Sequence, residues 1–147
     1  VDGFEVVLQH LFGDSGFGTQ INATFVSGGD VDIDRDDTTR QFILPGLGDS
    51  SNFSFFYEDS FVTARVALNT RGETVAGFGN YDQPLYVEER NQWDLSLALN
   101  VAEDAVVFYE VQNVNDEPTR LYARYQEMLF LSQDHGPIHR LGFRYKF

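Results

Sequence analysis

The chain has 147 residues, the length of one ordinary domain, and carries 10 basic against 23 acidic side chains. The resulting net charge of −13 argues against nucleic-acid binding, because phosphates require a basic surface. Apolar residues make up 42% and cysteine is absent, so we expect a packed fold without disulfides or a thiol nucleophile. No apolar run approaches the roughly 20 residues of a membrane-spanning helix.

Seven segments of the chain alternate between apolar and polar residues with a period of two, which predicts β-strands. In chain order they lie around 4–12, 20–25, 52–57, 62–69, 93–99, 107–112 and 139–147. The longer ones approach the length of about 9–11 residues with which a tilted strand crosses a bilayer. Alternation alone also fits a soluble β-sandwich.

The connections between these strands alternate between short and long. Short turns at 13–18, 58–60 and 100–104 are interleaved with polar loops at about 29–50, 70–90 and 115–138. Loops of that length are uncommon in a compact domain, whereas outer-membrane barrels combine short periplasmic turns with long extracellular loops. The sequence therefore predicts an all-β, antiparallel, up-and-down transmembrane β-barrel wall of about seven strands.

The odd number of strands bears on completeness. The last strand of such a barrel runs towards the periplasm, and counting back makes the first strand run the same way. Bacterial single-chain barrels have even strand numbers. We therefore expect residues 1–147 to be the C-terminal portion of a larger barrel, without its plug domain and earlier strands.

Strand parity predicts which side chains share a face. The side chains expected to face lipid are Ile21, Phe55, Ala64, Leu97, Val107, Tyr109 and Phe143. The charges expected to face the barrel lumen are Arg65, Asp94, Glu110, Arg140 and Arg144. The turns predict that Phe55 pairs with Ala64, Phe53 with Val66, Leu97 with Val107 and Leu95 with Tyr109.

Several segments, taken in order, resemble the TonB-dependent outer-membrane receptor family. They are 3–18, 20–25, 44–47, 61–69, 93–97, 108–118 and the closing strand 141–147. Segment 108–118 is similar to the family's strand-to-loop pattern E-x-x-N-L-x-x-E-P, with Val114 where leucine is usual. The resemblance covers essentially the whole chain.

The resemblance implies a 22-stranded barrel in the bacterial outer membrane, occluded by an N-terminal plug. Such a receptor imports a small-molecule nutrient with energy transduced through TonB, and it is neither an enzyme nor dependent on a cofactor. The lumen charges would then pair with the plug. The Phe-Gly-Asp-Ser-Gly-Phe-Gly hairpin at 12–18 most resembles a proteobacterial branch often associated with carbohydrate uptake.

The last strand resembles the signal by which the barrel-assembly machinery recognises its substrates. Its alternating apolar residues are Leu141, Phe143, Tyr145 and the terminal Phe147. A final lipid-facing strand would carry the same pattern on physical grounds alone, and both interpretations can hold together.

Gly13-Asp14-Ser15-Gly16 is similar to the nucleophile segment of trypsin-like proteases. That chemistry needs a histidine base and an orienting aspartate, and the only histidine upstream is His10, on the adjoining strand. Glycine and aspartate forming a tight turn is the preferred interpretation. No catalytic residue is therefore predicted.

Asp30, Asp32 and Asp34 have the spacing that opens a calcium-binding loop. Arg35 and Gln41 stand where an EF-hand needs glycine and a bidentate glutamate, so an exposed acidic loop is preferred. Whether segment 30–37 collects divalent cations is left open. The dispersed histidines lack metal-ligand spacing, so no metal site is predicted: His10, His135 and His139.

Two rival functions accompany the receptor prediction. A complete small outer-membrane barrel of structural role would suit the chain length. A soluble β-sandwich that acts as a binding module would suit the alternation.

Overall fold

The computed structural model describes residues 1–27, 33–37 and 39–147, and it is all-β and antiparallel, as the sequence predicts. Its strands are β1 (Asp2–Leu11), β2 (Phe17–Ser27), β3 (Ser50–Glu58), β4 (Val62–Arg71), β5 (Thr74–Phe78), β6 (Pro84–Val87), β7 (Arg90–Ala102), β8 (Ala105–Gln112), β9 (Thr119–Ala123), β10 (Leu129–Gln133) and β11 (Ile138–Tyr145). A short 3-10 turn spans Asn80–Asp82. Among the residues described, no helix has the length and hydropathy that crossing a membrane requires.

The main sheet contains the seven strands that the sequence predicts, in the order β1-β2-β3-β4-β7-β8-β11. Neighbours in this order are antiparallel throughout. Over the described ranges the sheet is open, with β1 and β11 as its edges, so these residues by themselves do not form a closed barrel. The last strand ends at Tyr145, two residues before the predicted end.

A second sheet occupies segments predicted to be long polar loops, and that prediction is wrong at 70–90 and 115–138. Its order, β10-β9-β6-β5, repeats the order β11-β8-β7-β4 of the main sheet. Only residues 72–73 separate β4 from β5, and only residues 88–89 separate β6 from β7. The second sheet therefore continues four strands of the main sheet after a short break.

Three strands of the main sheet that run in the same direction, β2, β4 and β8, are staggered by two residues from one to the next. One row of paired residues runs through Phe17, Tyr57, Ala64, Leu97, Tyr109 and Leu141. Within this row Phe17 is the first residue of β2, Ala64 the third of β4 and Tyr109 the fifth of β8. A stagger of one residue between neighbouring strands means that the strands are tilted by about 35°. The tilt is measured from the perpendicular to the line that joins the hairpin turns.

The register differs from the predicted pairing. The observed pairs are Phe55–Val66, Phe53–Leu68, Leu97–Tyr109 and Leu95–Val111. Each predicted pair is therefore wrong by two residues. Because two is the period of a strand, every side chain nevertheless stays on its predicted face.

Both register errors arise in the turns. The Asp59 carboxylate accepts hydrogen bonds from the backbone N–H groups of Phe61 and Val62, both at 2.7 Å, which makes a four-residue loop between paired Glu58 and Thr63. In the next hairpin the register shifts between Asn100 and Ala102. Such side-chain capping and bulges add residues that strand periodicity does not reveal.

One face of the main sheet is apolar and open to the surroundings. It carries the seven side chains predicted to face lipid, since these share the parity of the row through Leu97. Leu141 is 78% exposed, and Phe4 and Phe143 are each 63% exposed. That this face contacts lipid remains a prediction.

Gly18 lets an aromatic ring lie flat across β2 and β3. A Cβ on Gly18 would lie 2.4 Å from Cζ of Phe56, its partner in the register. We expect Gly18→Ala to displace the ring and lower the free energy of unfolding by about 1–3 kcal/mol, measured by urea denaturation in detergent. Gly72→Ala is the control, because its Cβ would meet the Asp49 carbonyl oxygen at an ordinary 3.5 Å. Equal losses in the two variants would contradict this account.

Candidate functional site

Four of the five predicted lumen charges lie together on the polar face of the main sheet. Arg65 pairs with Ser96, Ser96 with Glu110, and Glu110 with Arg140, so these four residues form one row across the sheet. Asp94 lies on the same face, two residues along β7. We call Arg65, Asp94, Glu110 and Arg140 the charge row.

Arg144 shares the polar face but does not join the charge row. It pairs with Val106, close to the turn between β7 and β8. The charge row instead borders an open cavity of about 330 Å³, which Ser96 and Gln112 also line. That the face lines a lumen remains a prediction.

Asp94 is held by hydrogen bonds from three neighbours. Its carboxylate accepts from Asn69 Nδ2 at 2.7 Å, from Gln92 Nε2 at 2.6 Å and from the backbone N–H of Asn113 at 2.9 Å. Asn69 in turn accepts from Asn52 Nδ2 on β3. This polar network crosses three strands and fixes the orientation of Asp94, so little of its acceptor capacity is left for a ligand.

The other members of the charge row are less constrained. Arg140 Nη1 lies 3.8 Å from Glu110 Oε2, and both side chains are about half exposed, so this ion pair adds little stability. The Arg65 guanidinium lies 5.5 Å from the centre of the Phe56 ring. Within the described ranges Arg65 makes no ion pair, so its N–H donors are the ones most open to a partner.

The protease-like segment forms a turn. Ser15 Oγ donates to the Phe12 carbonyl oxygen at 2.6 Å and accepts from the Phe17 backbone N–H at 3.2 Å. The serine hydroxyl therefore stabilises its own hairpin turn, because it donates one local hydrogen bond and accepts another. This favours the turn interpretation of Gly13-Asp14-Ser15-Gly16.

The structure describes only part of the acidic segment 30–37, which has the spacing of a calcium-binding loop. Asp30 and Asp32 lie outside the described residues. The Asp34 carboxylate accepts the backbone N–H of Asp36 at 2.9 Å, as in an ordinary Asx turn. Across residues 1–27, 33–37 and 39–147, no group of three or more His, Asp or Glu side chains is arranged to hold a metal ion.

A second cluster, which the sequence did not predict, lies on the second sheet. Tyr86 and Tyr122 stack with ring centroids 5.1 Å apart, and they are the two largest buried aromatic side chains described. The Arg35 guanidinium lies 4.4 Å from the Tyr86 centroid, and its Nη2 lies 3.3 Å from Glu73 Oε1. Arg35 also donates to the Arg124 carbonyl oxygen at 2.7 Å, so it fastens segment 33–37 to this sheet.

Burial perturbs the tyrosines of this cluster. It raises the pKa of Tyr122 to about 12, with a further contribution from the hydrogen bond that the phenol donates to Glu73. Burial likewise raises the pKa of Tyr86. Both phenols therefore stay neutral at physiological pH.

The predicted assembly residues lie along an edge of the main sheet. Leu141, Phe143 and Tyr145 project from the apolar face of β11, and all three are more than half exposed. Phe147 lies beyond the end of the strand, where its ring meets that of Tyr145 edge-on at 5.4 Å. Their role as an assembly signal remains a prediction.

Comparisons with protein-family models, with curated proteins and with solved structures found no match. The family resemblance of the sequence therefore remains a prediction.

The Tyr122 phenol gives a test in the alkaline range. Its folded-state pKa of about 12 exceeds the ordinary value of 10.0, so its stabilising contribution is complete below about pH 10 and is lost as the pH rises towards 12. We expect Tyr122→Phe to flatten the loss of Tm over this range and to remove a high-pH step from the absorbance titration at 295 nm. Tyr81→Phe, at an 88% exposed position, should leave the loss of Tm and the high-pH absorbance step unchanged. An unaltered high-pH step in Tyr122→Phe would refute the assignment.

Proposed function

We propose that this chain forms part of the barrel wall and the outer loops of a TonB-dependent nutrient receptor in a bacterial outer membrane. The observation that carries the proposal is the two-sided main sheet. Large apolar side chains cover one face, and the charge row and its polar network cover the other. A transmembrane barrel needs this arrangement, because its outside meets hydrocarbon while its inside is polar.

The exposure of the apolar face favours a membrane over a soluble sandwich. Phe4, Leu8, Leu141 and Phe143 are each more than half exposed, and soluble monomers seldom leave so large an apolar patch uncovered. The two sheets of a sandwich stack face to face and bury such side chains between them. Here the second sheet continues the strands of the main sheet instead.

The hairpin geometry agrees with a barrel wall. A tilt of about 35° falls within the 35–45° at which strands cross the outer membrane. The short turns lie at one end of the main sheet. At the opposite end, β4, β7, β8 and β11 continue into the second sheet. This asymmetry is typical of a barrel with short periplasmic turns and elaborate extracellular loops.

Strand direction supports a barrel larger than this sheet. β1 runs towards the short turn that precedes β2, and β11 also runs towards the short-turn end, where the Lys146 N–H bonds to the Asp104 carbonyl oxygen at 2.9 Å. Joining β1 to β11 would therefore make a parallel pair. Antiparallel closure requires at least one further strand, which favours the receptor over a barrel closed by these seven strands.

Receptor function and energy transduction through TonB rest on the sequence resemblance. Asp94 is saturated by its own neighbours and Glu110 is paired with Arg140, so Arg65 and Arg144 are the charges best placed to meet a plug. The apolar edge of β11 suits recognition by the barrel-assembly machinery. The carbohydrate class of nutrient remains a prediction.

The single tryptophan of the chain offers a direct test of the membrane proposal. Trp93 lies on the apolar face and is 40% exposed. After reconstitution into phosphatidylcholine bilayers, its fluorescence should be quenched when brominated acyl chains replace ordinary ones. Lack of quenching would contradict a lipid-facing Trp93.

A relocated indole provides the matched control. Trp93→Phe combined with Leu97→Trp keeps the probe on the apolar face, whereas Trp93→Phe combined with Ser96→Trp moves it to the polar face. The first variant should be quenched by brominated lipid and the second should resist. Equal quenching of both would mean that the two faces do not meet different solvents.

Charge substitutions at neighbouring positions give a thermodynamic test in the intact receptor. Leu97→Arg should lower the free energy of unfolding in lipid by about 2–4 kcal/mol, because the charge meets hydrocarbon, whereas Ser96→Arg should have little effect. Leu97→Trp separates lipid from a protein core, since a close-packed core would lose about 1–3 kcal/mol on overpacking. A large loss with Leu97→Trp would identify the apolar face as a buried interface.

A further inference from the structure

A cavity on the second sheet is distinct from the charge row. It has a volume of about 330 Å³ and lies between segment 40–45 and the end of β5. Its walls are mostly apolar: Phe42, Ile43, Pro45, Gly77 and Phe78. Arg40 and Gln41 supply the polar groups. This size and composition are typical of a small-molecule site.

Hydrogen bonds near both ends of segment 40–45 hold this wall of the cavity in place. The Gln41 side chain bonds both backbone groups of Asp34, accepting the N–H at 2.9 Å and donating to the carbonyl oxygen at 2.8 Å. The Gly46 N–H donates to the Val75 carbonyl oxygen on β5 at 2.9 Å. A preformed cavity loses less conformational entropy when a ligand binds.

The β5 wall contains a bulge at the cavity. The pairing of β5 with β6 shifts between Val75 and Gly77, and Gly77 has φ +150°, a conformation that other residues rarely adopt. A Cβ added at Gly77 would meet no atom within 4 Å, so the glycine borders open space. Bulges of this kind are frequent beside binding sites.

We propose that this cavity binds a small aromatic monocarboxylate. Phe42, which is 71% exposed, and Phe78 both line the cavity, so a flat apolar ring can contact both. In the part of the chain described here, the Arg40 guanidinium makes no ion pair or hydrogen bond. Its planar fork of donors matches a carboxylate.

The polar groups disfavour a neutral sugar as the occupant. The Gln41 amide is already committed to Asp34, which leaves Arg40 as the polar side chain of the cavity. Apart from Arg40, the apolar walls offer the hydroxyl groups of a sugar few hydrogen-bond partners in the protein. A ligand with one anionic group and one apolar ring leaves no such group unpaired.

The test uses 2-naphthoate as the probe and the full chain in zwitterionic detergent, followed by amide chemical shifts. Saturable shifts are expected at Gly77 and Phe78. Arg40→Gln should weaken the apparent affinity roughly tenfold, as should replacing the probe by neutral 2-naphthalenemethanol. Phe42→Ser should weaken both probes. Two matched substitutions outside the cavity, Arg71→Gln and Tyr81→Ser, should leave the affinity unchanged.

Three outcomes would overturn the proposal: no saturable shift, shifts that avoid Gly77 and Phe78, or equal affinity of wild type and Arg40→Gln. The amide shifts of Tyr86 and Tyr122 report whether the second sheet of each variant is folded. The cavity proposal does not rest on the membrane proposal. Naphthoate binding without quenching of Trp93 by brominated lipid would support the cavity and contradict the barrel, and the reverse result would do the opposite.

Discussion

The alternation of side chains along a strand governs how the main sheet of this protein is stabilised. Each strand presents one row of side chains to each face, and the main sheet has no second layer over its apolar face among the residues described. Cross-strand contacts replace core packing there, as in the stacked Phe4–Phe25 pair at 4.8 Å. On the opposite face the Asn52–Asn69–Asp94 network takes that role. The apolar face must then be covered by the surroundings instead of by a protein core, so the stability of this fold depends on the solvent that contacts this face.

The sequence was sufficient for the parts of the fold that depend on period alone. The main-sheet strands are long enough for a period of two to be visible, so their number and both of their faces follow from the residues. The charge row could be anticipated because its members share one parity. Register could not, since it depends on the Asp59 cap and on the bulge after Asn100, and both lie in the turns, outside the alternating segments.

The second sheet and its cavity could not be predicted from the period of the sequence. Its strands have only four or five residues, too few to establish a period, and β6 begins at Pro84, which reads as a strand breaker. The cluster around Tyr122 brings together Arg35, Glu73 and Tyr86 from separate segments. Contacts of that kind arise from tertiary packing, for which spacing in one sequence provides no signal.

The topology of the main sheet also has a consequence for how such a wall is assembled. Three of its pairings, β1 with β2, β3 with β4 and β7 with β8, are hairpins between strands adjacent in the chain. Hairpins with short loops form within microseconds, whereas pairing across long connections is slower. Each hairpin is thus a ready-made unit that enters the growing sheet with its direction already set. After each hairpin is added, the new edge strand runs in the same direction as the previous edge strand. The sheet can therefore grow by repeated addition of hairpins.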